Sequence, residues 1–130
     1  MRRIFSPDSP YKKQAGFLAV AWTLFILAGC FTPGKDLPQV DVPFIDKWVH
    51  IVLFGGFTFL WLCVRPYLNA RWLLSLLLMA IALGTIIELL QGLFTSLGRS
   101  MELMDAVADA VGGLVGILLF AGLAKITAKR

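Results

Sequence analysis

The chain has 130 residues, of which 58% are hydrophobic and only 15% charged, and its formal net charge is +4. A mean hydropathy of +0.81 indicates one small membrane domain and excludes a separate soluble module. The basic residues lie mainly at the chain ends and in one short loop, where they would contact lipid headgroups. We therefore predict no nucleic-acid partner.

Four apolar segments predict an all-α fold, a membrane bundle of four transmembrane helices. A span needs roughly 20 mostly apolar residues, so the second segment is short and is expected to begin near Phe44. The predicted spans are Gln14–Gly34, Trp48–Val64, Trp72–Gly98 and Leu103–Ala124. Residues 1–13 form a predicted cytoplasmic lead, 14–124 the membrane domain and 125–130 a cytoplasmic tail.

The distribution of positive charge predicts the orientation of the bundle. With both termini in the cytoplasm (N-in/C-in), nine basic residues are inside and three are in the outer loops, as the positive-inside rule requires. The inner ones are Arg2, Arg3, Lys12, Lys13, Arg65, Arg71, Lys125, Lys129 and Arg130, and the outer ones are Lys35, Lys47 and Arg99.

Seven polar residues within or next to the apolar segments sort to the same side under this topology. They all fall in the outer half of the membrane or in the outer loops, which predicts a single polar site facing outward. This set comprises His50, Glu88, Gln91, Arg99, Glu102, Asp105 and Asp109. The loop of residues 32–43 contains three prolines and is long enough to fold over such a site as a lid.

The first polar motif lies at the start of the second helix. Asp46 is four residues before His50 and shares a helical face with it, and Lys47, three residues before His50, is adjacent to it. Asp46 also suits a helix N-terminus, and Lys47 suits snorkelling to the interface, which would explain both without a site. His50 is the only histidine and titrates near neutral pH. It is either part of a site or a hydrogen-bonding link to a neighbouring helix.

The second motif is in the third helix. Counting back from Gly98 places Glu88 roughly 10 to 15 Å below the surface, where an unpaired carboxylate costs several kcal/mol. Gln91 is three residues further along and is able to donate a hydrogen bond to Glu88. The pair serves either a functional site or helix association.

The third motif opens the fourth helix. Glu102, Asp105 and Asp109 form a stripe whose like charges repel, so Arg99, Lys47, a protonated histidine or a metal ion should offset them. Glu102 and Asp105 also favour a helix N-terminus. Further along, Gly112 and Gly116 form a small-xxx-small pattern, which we expect to bring the stripe against Glu88 on the third helix.

The cysteines permit a competing interpretation of the first segment. The residues before Cys30 resemble the lipobox of a bacterial lipoprotein signal, in which case cleavage would leave Cys30 as a lipidated N-terminus. Cys30 and Cys63 are predicted near opposite faces of the membrane, which makes a disulfide between them improbable.

Taken in order, these motifs resemble the VanZ-like family of small bacterial membrane proteins. The matching residues are Asp46-Lys47-x-x-His50, Glu88-x-x-Gln91, Arg99, Asp105-x-x-x-Asp109 and Gly113-x-x-Gly116. The family usually has asparagine where this chain has Asp109. The resemblance implies a location in the bacterial cytoplasmic membrane and a link to low-level teicoplanin resistance or to envelope homeostasis. The expected partners are membrane lipids or lipid-linked cell-wall intermediates.

Three hypotheses about activity remain open at this point. In the first, Lys47 and Arg99 hold the anionic headgroup of an amphiphile. In the second, an integral-membrane hydrolase or transferase uses His50, Glu88 or Asp109 in catalysis. No cofactor is predicted for either, although the carboxylates, including Asp105, would suit Mg²⁺ or Ca²⁺. The third is a proton-coupled carrier that works as an oligomer. No established catalytic signature is present.

Overall fold

The computed structural model describes residues 4–33, 42–94 and 102–128. These residues form four α-helices and no strand, namely α1 (Lys12–Cys30), α2 (Ile45–Val64), α3 (Ala70–Leu93) and α4 (Leu103–Ala128). All four are long and apolar enough to cross a membrane. The predicted all-α bundle of four spans is thus confirmed.

The ends of the helices differ from the predicted bounds for local reasons. Helix α1 ends at Cys30, before the predicted Gly34, because Pro33 disfavours helical backbone in the residue that precedes it. Helix α2 begins at Ile45, close to the expected Phe44, which has a left-handed φ of 57°. Helix α3 ends at Leu93 rather than Gly98, and residues 95–101 lie outside the described part of the chain.

The turn between α2 and α3 is held by a side-chain cap and by contacts of one arginine with two aromatic rings. The Asn69 side chain accepts a hydrogen bond of 2.9 Å from the Trp72 backbone N–H and so caps α3. The guanidinium of Arg65 lies over the rings of Tyr67 and Trp72, 5.6 and 5.0 Å from their centroids, an arrangement that favours a cation–π interaction. This turn lies at the end of the bundle opposite to the polar residues.

The most extensive packing in the bundle joins α2 and α4, through glycines on both helices. A Cβ atom at Gly55 would lie 3.2 Å from the carbonyl oxygen of Gly112, and one at Gly116 would overlap the Gly55 carbonyl. Thr58 donates a hydrogen bond of 2.8 Å to the carbonyl oxygen of Gly113. The expectation that Gly112 and Gly116 bring α4 against α3 is therefore wrong, because their open face meets the complementary Gly55 on α2.

The other helices complete the bundle through tryptophan and small-residue contacts. The Trp22 indole on α1 donates a hydrogen bond of 2.8 Å to the carbonyl oxygen of Leu53 on α2, and its ring fills the space beside Gly56. Gly113 faces α3, where a Cβ would lie 3.3 Å from the Ala80 methyl. Many large apolar side chains of all four helices point outward, as lipid-facing surfaces require.

Candidate functional site

Four titratable side chains from three helices meet at one end of the bundle. His50 comes from α2, Glu88 from α3, and Asp105 and Asp109 from α4, and each is at most 8% exposed. At this end α2 and α4 begin and α3 finishes. The predicted convergence is confirmed for these four residues, which we call the inner cluster, while Arg99 lies outside the described residues.

His50 and Asp109 form the innermost pair of this cluster. His50 Nδ1 lies 2.7 Å from Asp109 Oδ1, so in the neutral tautomer the Nδ1–H group donates to the carboxylate and Nε2 keeps its lone pair. The Nε2 atom lies 3.7 Å from Asp105 Oδ2, which is too far for a hydrogen bond. The histidine is therefore oriented from one side and has an unused nitrogen on the other.

Gly84 makes room for the Asp109 carboxylate, and the sequence analysis did not single it out. A Cβ atom at Gly84 would overlap Asp109 Oδ2, so only glycine allows α4 to place a carboxylate here without a shift. The available signal was the position of Gly84 four residues before Glu88, on the same helical face. Without a structure, nothing links that glycine to Asp109.

Glu88 connects α3 to the start of α4. Its Oε2 atom accepts a hydrogen bond of 2.8 Å from the backbone N–H of Glu102, a group that precedes α4 and has no partner within that helix. The other oxygen, Oε1, has no hydrogen-bond partner among the described residues. Because α3 ends at Leu93, Glu88 lies roughly 7.5 Å from the end of that helix along its axis.

Lys47 lies among three carboxylates at the rim of the site. Its Nζ forms ion pairs with Asp46, Glu102 and Asp105, the last at 2.8 Å from Oδ1. Lys47 thus supplies the positive charge that the acidic stripe of α4 was expected to need. Asp46 occupies the first turn of α2 but makes no side-chain cap, so the ion pair with Lys47 is its principal described contact.

Gln91 belongs to a different contact from the one expected. Its Nε2 donates a hydrogen bond of 2.7 Å to the carbonyl oxygen of Cys30, at the C-terminus of α1, instead of to Glu88. The last carbonyls of a helix have no partner within it, and the long amide side chain satisfies one of them. Gln91 therefore ties α1 to α3 beside the inner cluster. Cys30 and Cys63 are both buried and are not joined to each other by a disulfide.

The charges of the site favour cations over anions. Five carboxylates (Asp46, Glu88, Glu102, Asp105 and Asp109) face Lys47 and His50 as the basic groups of the described part of the site. Two groups of residues have ligand atoms that lie within 4.8 Å of one another. One is His50, Glu88 and Asp105, all buried, and the other is Asp46, Glu102 and Asp105 at the rim. Lys47 already occupies the second group.

The fold and the site define a four-helix membrane protein with a buried histidine–carboxylate cluster at one end of the bundle. The family model described as VanZ/LLP1 matches residues 8–125. That match spans nearly the whole chain, and the protein belongs to this family. No curated protein and no solved structure shows significant similarity to the chain.

Proposed function

We propose that this VanZ-family membrane protein recognises an anionic cell-envelope amphiphile or lipid-linked intermediate at the inner cluster. Recognition of such a molecule would link the protein to glycopeptide (teicoplanin) resistance or to envelope homeostasis. The observation that carries the proposal is the burial of His50, Glu88, Asp105 and Asp109 in an otherwise apolar bundle. Buried ionisable groups cost several kcal/mol in a membrane, and the glycine contacts already hold α2 and α4 together without them.

The charge balance sets a condition on this proposal. Lys47 is engaged by three carboxylates, and the described site carries more negative than positive charge. An anionic headgroup therefore needs an additional positive charge near the cluster. Arg99 or a bound cation would supply it, and phosphate or carboxylate groups suit either one.

We extend the proposal to orientation and location. The bias of basic residues supports N-in/C-in insertion in the bacterial cytoplasmic membrane, with the cluster facing outward. A C-terminal alkaline phosphatase fusion is expected to be inactive and a C-terminal green fluorescent protein fusion bright. An active phosphatase at the C-terminus would contradict this orientation and would mean that the cluster faces the cytoplasm.

A second candidate function rests on the pair of His50 and Asp109. A histidine held at Nδ1 by a carboxylate 2.7 Å away presents Nε2 as a general base, as a hydrolase or transferase acting on a lipid-linked substrate would require. Incubation of purified protein with a lipid-linked pyrophosphate distinguishes the two functions. Catalysis predicts product that accumulates over many turnovers and disappears in His50→Ala, whereas recognition alone predicts saturable binding without product.

The test of the main proposal is complementation of a deletion strain in the presence of teicoplanin and envelope stress. We expect His50→Ala and Glu88→Gln to lose complementation at normal expression, because each removes a group from the inner cluster. Asp8→Asn is the matched control, since it neutralises an exposed carboxylate at the other end of the bundle. Full complementation by both cluster variants would refute the proposal.

A further inference from the structure

We propose that His50 Nε2, Glu88 and Asp105 together bind one divalent transition-metal ion of the Zn²⁺ or Mn²⁺ class. This inference deepens the proposed function and rests on it, because the ion would supply the positive charge that an anionic headgroup needs at this site. The donor set combines one imidazole nitrogen with carboxylate oxygens. Imidazole suits Zn²⁺ and related transition metals better than Mg²⁺ or Ca²⁺, so the histidine favours a different metal class from the one that the carboxylates alone suggested.

The spacing of the donor atoms fits a shared ion. The ligand atoms of the three residues lie within 4.8 Å of one another, and His50 Nε2 is 3.7 Å from Asp105 Oδ2. Two ligands bound to one ion at about 2.1 Å are separated by roughly 3.0 to 3.6 Å for bond angles between 90° and 120°. The separation of Nε2 and Oδ2, too long for a hydrogen bond, is therefore close to that of two ligands of one metal ion.

A second observation points independently to a ligand. Glu88 is only 1% exposed, and its Oε1 atom has no hydrogen-bond partner among the described residues. A buried carboxylate oxygen without a partner carries a desolvation cost, which is largest when the group is ionised. A cation bound between Glu88, His50 and Asp105 would remove that cost.

Each of the three proposed ligands is also held by a second contact. His50 Nδ1 pairs with Asp109 at 2.7 Å, and Asp105 Oδ1 pairs with Lys47 at 2.8 Å. Glu88 Oε2 accepts the Glu102 N–H at 2.8 Å. Contacts of this kind orient the ligands of known metal sites, where a carboxylate commonly receives the second N–H of a ligating histidine. Asp109 is therefore a positioning residue in this proposal and not a ligand.

The rim group of Asp46, Glu102 and Asp105 does not compete for the same role. The ammonium group of Lys47 forms ion pairs with all three carboxylates and already balances part of their charge. Asp46 and Glu102 are about half exposed, so water also solvates them. In the inner group, this ammonium contacts Asp105 at Oδ1, whereas the Oε1 atom of Glu88 has no hydrogen-bond partner among the described residues.

The inference is tested by metal titration of the full chain, purified in detergent and stripped with a chelator. Calorimetry with Zn²⁺, Mn²⁺, Mg²⁺ and Ca²⁺ measures affinity, and Co²⁺ absorption reports a nitrogen-containing ligand field. We expect one equivalent of Zn²⁺ or Mn²⁺ to bind. Affinity should fall at least 10-fold in His50→Ala and Glu88→Gln, and on the order of 10-fold or more in Asp109→Ala. Asp46→Asn, the control at the rim, should bind as wild type does.

Several outcomes would overturn the metal site. These are no binding of any of the ions by wild type, unchanged affinity in Glu88→Gln, or equal losses in Asp46→Asn and Glu88→Gln. Size-exclusion profiles and thermal unfolding identify variants that fail to fold, and Glu88→Gln is the more conservative of the two ligand changes. If the wild type binds no metal but the cluster variants fail to complement, the proposed function stands without the ion. If the wild type binds metal but the cluster variants complement fully, the metal site stands and the proposed function fails.

Discussion

Gly112→Ala is expected to destabilise the bundle by about 1–3 kcal/mol, the usual cost of overpacking a tight contact. The new methyl group would lie 2.8 Å from the Ile51 Cα and close to the Ile51 carbonyl oxygen. Both atoms belong to the α2 backbone, so no side-chain rotation relieves the clash and the two helices must separate. Because lipid does not drive helices together, close van der Waals contact is a main source of their association.

The matched control for this change is Gly122→Ala on the same helix. A Cβ at Gly122 has no neighbouring atom within 4 Å, so this variant shows only the gain in helix propensity, up to about 1 kcal/mol. Thermal unfolding in detergent, followed by tryptophan fluorescence, compares the two with wild type. If Gly112→Ala unfolds at the same temperature as Gly122→Ala or higher, α2 and α4 do not pack through this face.

The sequence predicts the four spans well because a membrane helix carries its signal locally. Each of the four helices in the described part of the chain is long and apolar enough to cross a membrane, and no long-range contact is needed to recognise such a segment. The ends are less predictable, since they depend on single residues such as Pro33. Because α3 ends at Leu93, Glu88 is closer to the end of its helix than a count back from Gly98 predicts.

The sequence also predicts which residues converge, but not how they pair. Charges in an apolar segment must leave the lipid, so His50, Glu88, Asp105 and Asp109 could be assigned to one site before any geometry was known. Their partners depend on the rotation of each helix about its axis, which no local pattern specifies. For that reason the pairing of Gln91 with the Cys30 carbonyl could not be anticipated.

The packing face of α4 illustrates the same limit. Gly112 and Gly116 predict that α4 packs closely against another helix. Gly55 on α2 and Gly84 on α3 are both small enough to allow such a contact. In the structure, Gly55 contacts the α4 backbone and Gly84 contacts the Asp109 carboxylate. A sequence pattern identifies the small residues, whereas the partner that each one contacts depends on how all four helices pack.

Gly84→Ala is expected to disrupt the pair of His50 and Asp109 while leaving the helices in place. The methyl group would overlap the Asp109 carboxylate, which is a flexible group that can move, unlike the backbone beside Gly112. Displacement would break the 2.7 Å hydrogen bond to His50 Nδ1. Complementation should then fall as far as in Asp109→Ala, with little change in the unfolding temperature.

The single histidine of the chain makes this prediction directly observable. In ¹⁵N-labelled protein, the two imidazole nitrogen signals come from His50 alone, and the Nδ1 signal should shift alike in Gly84→Ala and Asp109→Ala. The Nδ1 signal of the double variant should resemble that of Asp109→Ala, because the methyl group then meets no carboxylate, so the effects of the two substitutions on this signal should not add. Gly122→Ala should leave the spectrum unchanged. Strictly additive effects, or an unshifted Nδ1 signal in Gly84→Ala, would show that Gly84 does not position Asp109 and that its role is confined to helix packing.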